Sequence, residues 1–133
     1  MTREDEAVKQ MSELLALKCG YSQKEAERIK TASALHDIGK QKLPKDLLSK
    51  PSKLTPEEFK IMKMHTKYGE QLLLSIQGNL GKMAREIALL HHEKHNGRGY
   101  WGYKSSDLPL YINIVSICDV ACALLHERSY KPP

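Results

Sequence analysis

Apolar residues recur at three- and four-residue intervals along the chain, as in Val8, Met11, Leu15 and again in Ile61, Met64, Tyr68, Leu72. Side chains spaced this way share one face of an α-helix, and the period-two alternation that marks a strand is nearly missing. The spacing predicts helices near residues 3–18, 23–37, 56–76, 82–94 and 109–127. Two of these starts carry a capping box. In Ser22-Gln23-Lys24-Glu25 and Thr55-Pro56-Glu57-Glu58 the hydroxyl and the third-following Glu satisfy backbone N–H groups that a helix start leaves unpaired, and Pro56 presets the first turn. Leu43-Pro44 through Lys53 reads as a proline-containing connection, and the stretch from Asn96 to Asp107, with Gly97, Gly99 and Gly102, cannot be regular helix. The expected fold is all-α, a single bundle of about five or more helices, with these two connections flanking any site.

The 133 residues suit one domain with one core, at 41% apolar and 28% charged residues. No apolar run approaches the length of a membrane span, and the opening Met1-Thr2-Arg3-Glu4-Asp5-Glu6 is acidic and polar where a secretory leader is basic and then apolar, so a cytoplasmic location is expected. Cys19, Cys118 and Cys122 form no C-x-x-C pair, which predicts reduced, mostly buried thiols. The net charge of +5 comes from Lys and Arg interspersed with acids throughout. That pattern argues against a DNA or RNA polymer as partner and for anionic small molecules.

The chemistry-bearing residues are His36-Asp37, His65, His91-His92 and Asp119. Any one of them reads as a hydrogen-bonded core residue or a helix-end charge. Six together point to a divalent-metal site, because neutral imidazole is a common metal ligand and Asp is its hard anionic complement. Neighbours on an ideal helix point about 100° apart, so His36 and Asp37, like His91 and His92, suit either different ions or opposite sides of one. Lys40 alone is a helix-end charge favourable to the dipole.

The stretches Ala34-Leu35-His36-Asp37-Ile38-Gly39-Lys40, Leu54-Thr55-Pro56-Glu57-Glu58 with Met64-His65, His91-His92-Glu93 with Asn96-Gly97-Arg98-Gly99-Tyr100, Ile117-Cys118-Asp119-Val120 and Arg128-Ser129-Tyr130-Lys131 stand in an order that resembles the HD-GYP family of HD-superfamily metal-dependent phosphohydrolases. The resemblance covers nearly the whole chain and implies an HD-type domain over residues 1–133, truncated or reduced at both ends. It implies a bacterial, cytoplasmic signalling enzyme hydrolysing cyclic di-GMP to linear pGpG or GMP by water activated at a metal pair. The cofactors implied are two or three divalent ions, iron or manganese, held by His36, Asp37, His65, His91, His92 and Asp119, with Asp37 bridging. Lys40 would assist catalysis or bind phosphate, Arg128 and Lys131 would grip phosphate, and Tyr100 with Gly97 and Gly99 would meet substrate. A regulatory domain or signalling partner is implied, and no oligomeric state.

Four departures from the family pattern stand out. Glu4 falls where a first-helix histidine is usual and is itself a candidate oxygen ligand; Trp101 replaces the proline after Gly-Tyr and is expected to narrow or cover the pocket; Ala121-Cys122 replaces an aromatic and a second Asp, with Cys122 about one turn past Asp119 as a packed thiol; and Asn113 replaces a usual Arg. These keep two alternatives open: hydrolysis of another cyclic dinucleotide or nucleotide, and a degenerate sensor or protein-interaction module.

Overall fold

The computed structural model describes residues 3–130, with side chains described for residues 5–125. Glu4, Arg128 and Lys131 therefore have side chains outside the described residues. The elements run α1 (Arg3–Lys18), α2 (Gln23–Ser33), a 3-10 turn (Ile38–Lys42), α3 (Lys45–Leu48), α4 (Pro56–Leu72), a second 3-10 turn (Leu73–Ser75), α5 (Gly78–Leu90), a third (Ser105–Asp107) and α6 (Leu110–Tyr130). The all-α expectation holds, and none of these helices is long and apolar enough to cross a membrane.

Both capping boxes form. Glu25 N–H donates to Ser22 Oγ at 3.1 Å while Ser22 N–H donates to Glu25 Oε1 at 3.2 Å. Thr55 and Glu58 repeat the exchange at 3.2 and 2.8 Å. Such caps typically stabilise a helix by about 1 kcal/mol.

Several boundaries differ from expectation, among them the ends of the helices expected at 56–76 and 109–127, which fall at Leu72 and Tyr130. The second helix stops at Ser33 instead of 37, because Leu35, His36 and Ile38 N–H groups each bond the carbonyl three residues back and tighten the chain into successive turns. The fifth begins at Gly78 and ends at Leu90 instead of running 82–94, with Gly81 lying so close to the Ile76 carbonyl that only glycine fits. The 43–53 connection holds the short α3.

Val8 and Ala16 of α1, Ala26, Ile29 and Ala32 of α2, Ala84, Ile87 and Ala88 of α5, and Ile112, Val115, Cys118 and Cys122 of α6 make one buried core. Each fully buried isoleucine contributes about 1.5–3 kcal/mol by leaving water. Cys122 packs its Sγ 4.0 Å from Met11 Sδ, which agrees with a structural thiol, and Cys118 is buried too, while Cys19 is exposed. At the opposite edge α4 lies against the 3-10 turn of Gly39. A Cβ at Gly39 would sit 1.8 Å from the His65 carbonyl oxygen. The absent side chain thus lets the turn that carries Asp37 close onto the helix that carries His65.

Candidate metal centre

Three histidines arrive from three places with one local design. His36 lies in the turns after α2, His65 in the middle of α4, and His91 at the C-cap just past the end of α5. Each is almost wholly buried, and each hydrogen-bonds a backbone carbonyl three or four residues back through Nδ1: Ser33 O at 2.6 Å, Met62 O at 2.7 Å and Ile87 O at 2.9 Å. A carbonyl only accepts, so Nδ1 carries the proton and Nε2 is left to face inward.

What Nε2 faces is Asp37. His65 Nε2 and His91 Nε2 lie 3.3 and 3.4 Å from Asp37 Oδ1, and His36 Nε2 lies 3.2 Å from both Asp37 Oδ2 and Asp119 Oδ1. His36 and Asp119 make a hydrogen bond, but Asp37 Oδ1, His65 Nε2 and His91 Nε2 are buried with no hydrogen-bond partner. Buried polar atoms without partners cost free energy. Inward-facing ring nitrogens of two imidazoles and a carboxylate oxygen converging on one point are the donor set that a divalent cation satisfies. The residues fit a metal.

Electrostatics point the same way. Burial pushes the Asp37 carboxyl up, but the imidazoles of His36, His65 and His91 outweigh it and hold the group far below the usual carboxylate range. Burial likewise pushes His36 down, and the Asp119 and Asp37 carboxylates overcome it to raise the imidazole to about 10. Asp119 is lowered, its burial offset mainly by His36. His92 goes the other way, to about 3, through burial and the neighbouring His91 and His65, and so remains a neutral ring.

Ligand atoms within 4.8 Å of one another fall into three overlapping groups: Asp37 with His65, His91 and His92; His36 with His91 and Asp119; and Asp5 with His36 and Asp37. All six ligands expected from the sequence are therefore brought together. His36 and Asp37 do not splay as helix neighbours, since both leave the helix and meet within 3.2 Å. Asp5 was not expected. It lines a cavity of about 280 Å³ with Ala34, Leu35, Asp37 and Ile38. Glu4, the residue nominated at this place, has its side chain outside the described residues.

The rim is built by the glycine-rich loop and the Gly39 turn. Lys40 Nζ stands 3.2 Å from Asp37 Oδ2 and is partly exposed. Tyr100 stacks on His92 with centroids 4.3 Å apart and planes 16° apart, and burial raises its phenol to about 12. Gly97 takes φ +76°, and a Cβ on Gly99 would come within 2.5 Å of the Glu93 Cα. Trp101, expected to narrow or cover the pocket, donates its Nε1–H to Thr66 Oγ1 at 3.0 Å and so lies against α4. Sequence patterning assigned no contact to Glu93 or Thr66, although Glu93 directly follows the two histidines.

A family profile described as HD domain matches residues 1–133. Over 91% of its length the chain is 43% identical to the 3'3'-cGAMP-specific phosphodiesterase 2 of Vibrio cholerae, covering 23% of that protein. Over 98% it is 40% identical to the cyclic di-GMP phosphodiesterase of Thermotoga maritima, covering 36%. The chain thus spans about a quarter to a third of the length of these relatives. Among solved structures, Bd1817, an HDG"Y"P protein from Bdellovibrio bacteriovorus, superposes with a TM-score of 0.74 at 24% identity, over 92% of this chain and 40% of that one. With this profile matched over residues 1–133, and with the histidines and aspartates of the sequence motifs gathered in one place, the chain belongs to the HD domain family.

Proposed function

We propose that this domain is a metal-dependent phosphodiesterase, of HD-GYP type, that hydrolyses a cyclic dinucleotide, with cyclic di-GMP as first substrate and linear pGpG or GMP as product. The observation that carries the reading is the convergence of His36, His65 and His91 Nε2 on Asp37, with three buried donor atoms left without partners. Asp37, His65, His91 and His92 would hold one ion, His36, His91 and Asp119 a second, and Asp5, His36 and Asp37 offer a third place, so that Asp37 belongs to two of the three groups. Imidazole and carboxylate donors suit iron or manganese. Bound divalent ions supply Lewis acidity toward the phosphodiester and lower the pKa of water.

The remaining steps belong to the chain's own side chains. Lys40, beside Asp37 and open to solvent on one side, would meet a nonbridging phosphate oxygen or protonate the leaving oxygen. Tyr100, neutral across the physiological range, would donate a hydrogen bond to substrate from its place over His92. Gly97 and Gly99 allow the loop to approach closely, and Arg128 and Lys131 would bind the second phosphate. A cytoplasmic place and control by a regulatory domain or signalling partner complete the proposal.

A second substrate is favoured by one finding, the 43% identity to a protein named for 3'3'-cGAMP. One assay addresses both. Anaerobically purified protein loaded with Fe(II) or Mn(II) is given cyclic di-GMP and 3'3'-cGAMP in parallel, with His91→Ala as control, and products are separated by chromatography. Linear product from the unmutated protein alone is expected. Metal-loaded protein that cleaves neither would overturn the reading in favour of a degenerate sensor module.

A further inference from the structure

Trp101 stands where proline is usual, and the question is what the exchange does. Its backbone N–H donates to Glu93 Oε1 at 2.7 Å, and Tyr103 N–H donates to Glu93 Oε2 at 3.1 Å. Glu93 is only 5% exposed, so its carboxylate is occupied in holding the loop through two charge-assisted bonds. The indole adds a second anchor through Thr66, the residue after His65, with the Lys67 ammonium 4.0 Å above the ring. Between these anchors sits Tyr100, parallel to the His92 ring and edge-on to His65 at 6.0 Å and to Phe59 at 5.6 Å.

Proline has no N–H. The bond from position 101 to Glu93 is therefore open to this chain because of the replacement. Proline stiffens a loop by fixing φ; here the same loop is stiffened by two tertiary contacts, one to the segment after His92 and one to α4. His92 has no bond to a carbonyl comparable with those of His36, His65 and His91 among the described contacts, and its ring is oriented by packing. From this we infer that Trp101 and Glu93 are positioning residues: together they clamp Tyr100 onto His92 and so fix the orientation of that ligand. The inference rests on the metal-site reading for its consequence, but the clamp itself does not.

Two readouts separate these. In metal-free protein, Tyr100 stacked on His92 shifts the His92 ring-proton resonances upfield, with Tyr100→Ala defining the unstacked position. W101P and E93A are expected to move these resonances to the Tyr100→Ala position, and W101F, which keeps the backbone N–H, only part of the way, with circular dichroism unchanged. In Mn(II) calorimetry W101P and E93A are expected to weaken affinity about 10- to 100-fold, the usual effect of losing a group that orients a ligand. His92 resonances in W101P unchanged from the unmutated protein would overturn the clamp, whatever the affinity does. Unmutated protein that binds no Mn(II) while W101P still releases the stack would leave the clamp standing and sink the metal reading instead.

Discussion

The rings of His65 and Tyr100 lie 6.0 Å apart, yet the chain orients them by different means. His65 is aimed by its own helix, through a carbonyl three residues back. Tyr100 is aimed from outside, by a carboxylate at Glu93 and an indole that reaches Thr66 on α4. Local bonds of the first kind form with the helix and are as durable as it is. Remote contacts of the second kind depend on loop closure, whose opening free energy is lower than that of core helices. The centre should accordingly respond to loss of a ligand, and the rim to loss of a distant contact.

The largest effect should come at the centre. Asp37→Asn removes the charge faced by Nε2 of His36, His65 and His91, and turnover of cyclic di-GMP is expected to fall roughly a thousandfold or more, since metal-based charge stabilisation supplies several kcal/mol and each 1.4 kcal/mol is tenfold. Metal content by mass spectrometry should fall with it; full occupancy would show that the centre does not depend on this carboxylate. Next comes Gly39→Ala, whose methyl must displace the His65 carbonyl. A loss of about 1–3 kcal/mol in urea melts is expected, together with weaker Mn(II) binding, because the turn and α4 would separate. Stability lost without any change in affinity would uncouple the packing of this turn from the site.

The pH dependence sharpens the contrast further. In the metal-free protein His36 is raised from its ordinary value to about 10, so its pairing with Asp119 and Asp37 stabilises the fold fully below pH 6.5 and that contribution fades as pH rises through about 10. Metal binding must displace this proton, so affinity should rise with pH across that window, and calorimetry in buffers of different ionisation enthalpy should detect proton release. Affinity independent of pH would mean that His36 is not a ligand. The smallest effect is expected away from both regions: Thr55→Ala removes the cap of α4 and should cost about 1 kcal/mol in thermal or urea melts while leaving Mn(II) affinity alone.

The same division explains what the sequence disclosed. Capping boxes at Ser22 and Thr55 and the spacing of Ile61, Met64 and Tyr68 are local signals, and the helices they announce begin where expected. The six histidines and aspartates that converge were legible as a motif, though not how His36 and Asp37 come to point together, because the turns that end α2 early carry no Gly or Pro until Gly39. Placing Asp5 beside His36 and Asp37 requires the rotational phase of α1 against α2, which one sequence does not encode locally. Glu93 and Thr66 escaped notice for a related reason. Their partners are backbone and indole N–H groups 8, 10 and 35 residues away, and nothing in the spacing of polar residues announces such a bond.

The acceptors that aim His36, His65 and His91 are main-chain oxygens of Ser33, Met62 and Ile87. No codon change at those three positions can delete a carbonyl. A lineage carrying this fold is thus free to rewrite the rim, where Trp101 stands, and to explore new substrates by point substitution. The aim of the three imidazoles is inherited with the helices and stays outside the reach of drift until the bundle itself fails.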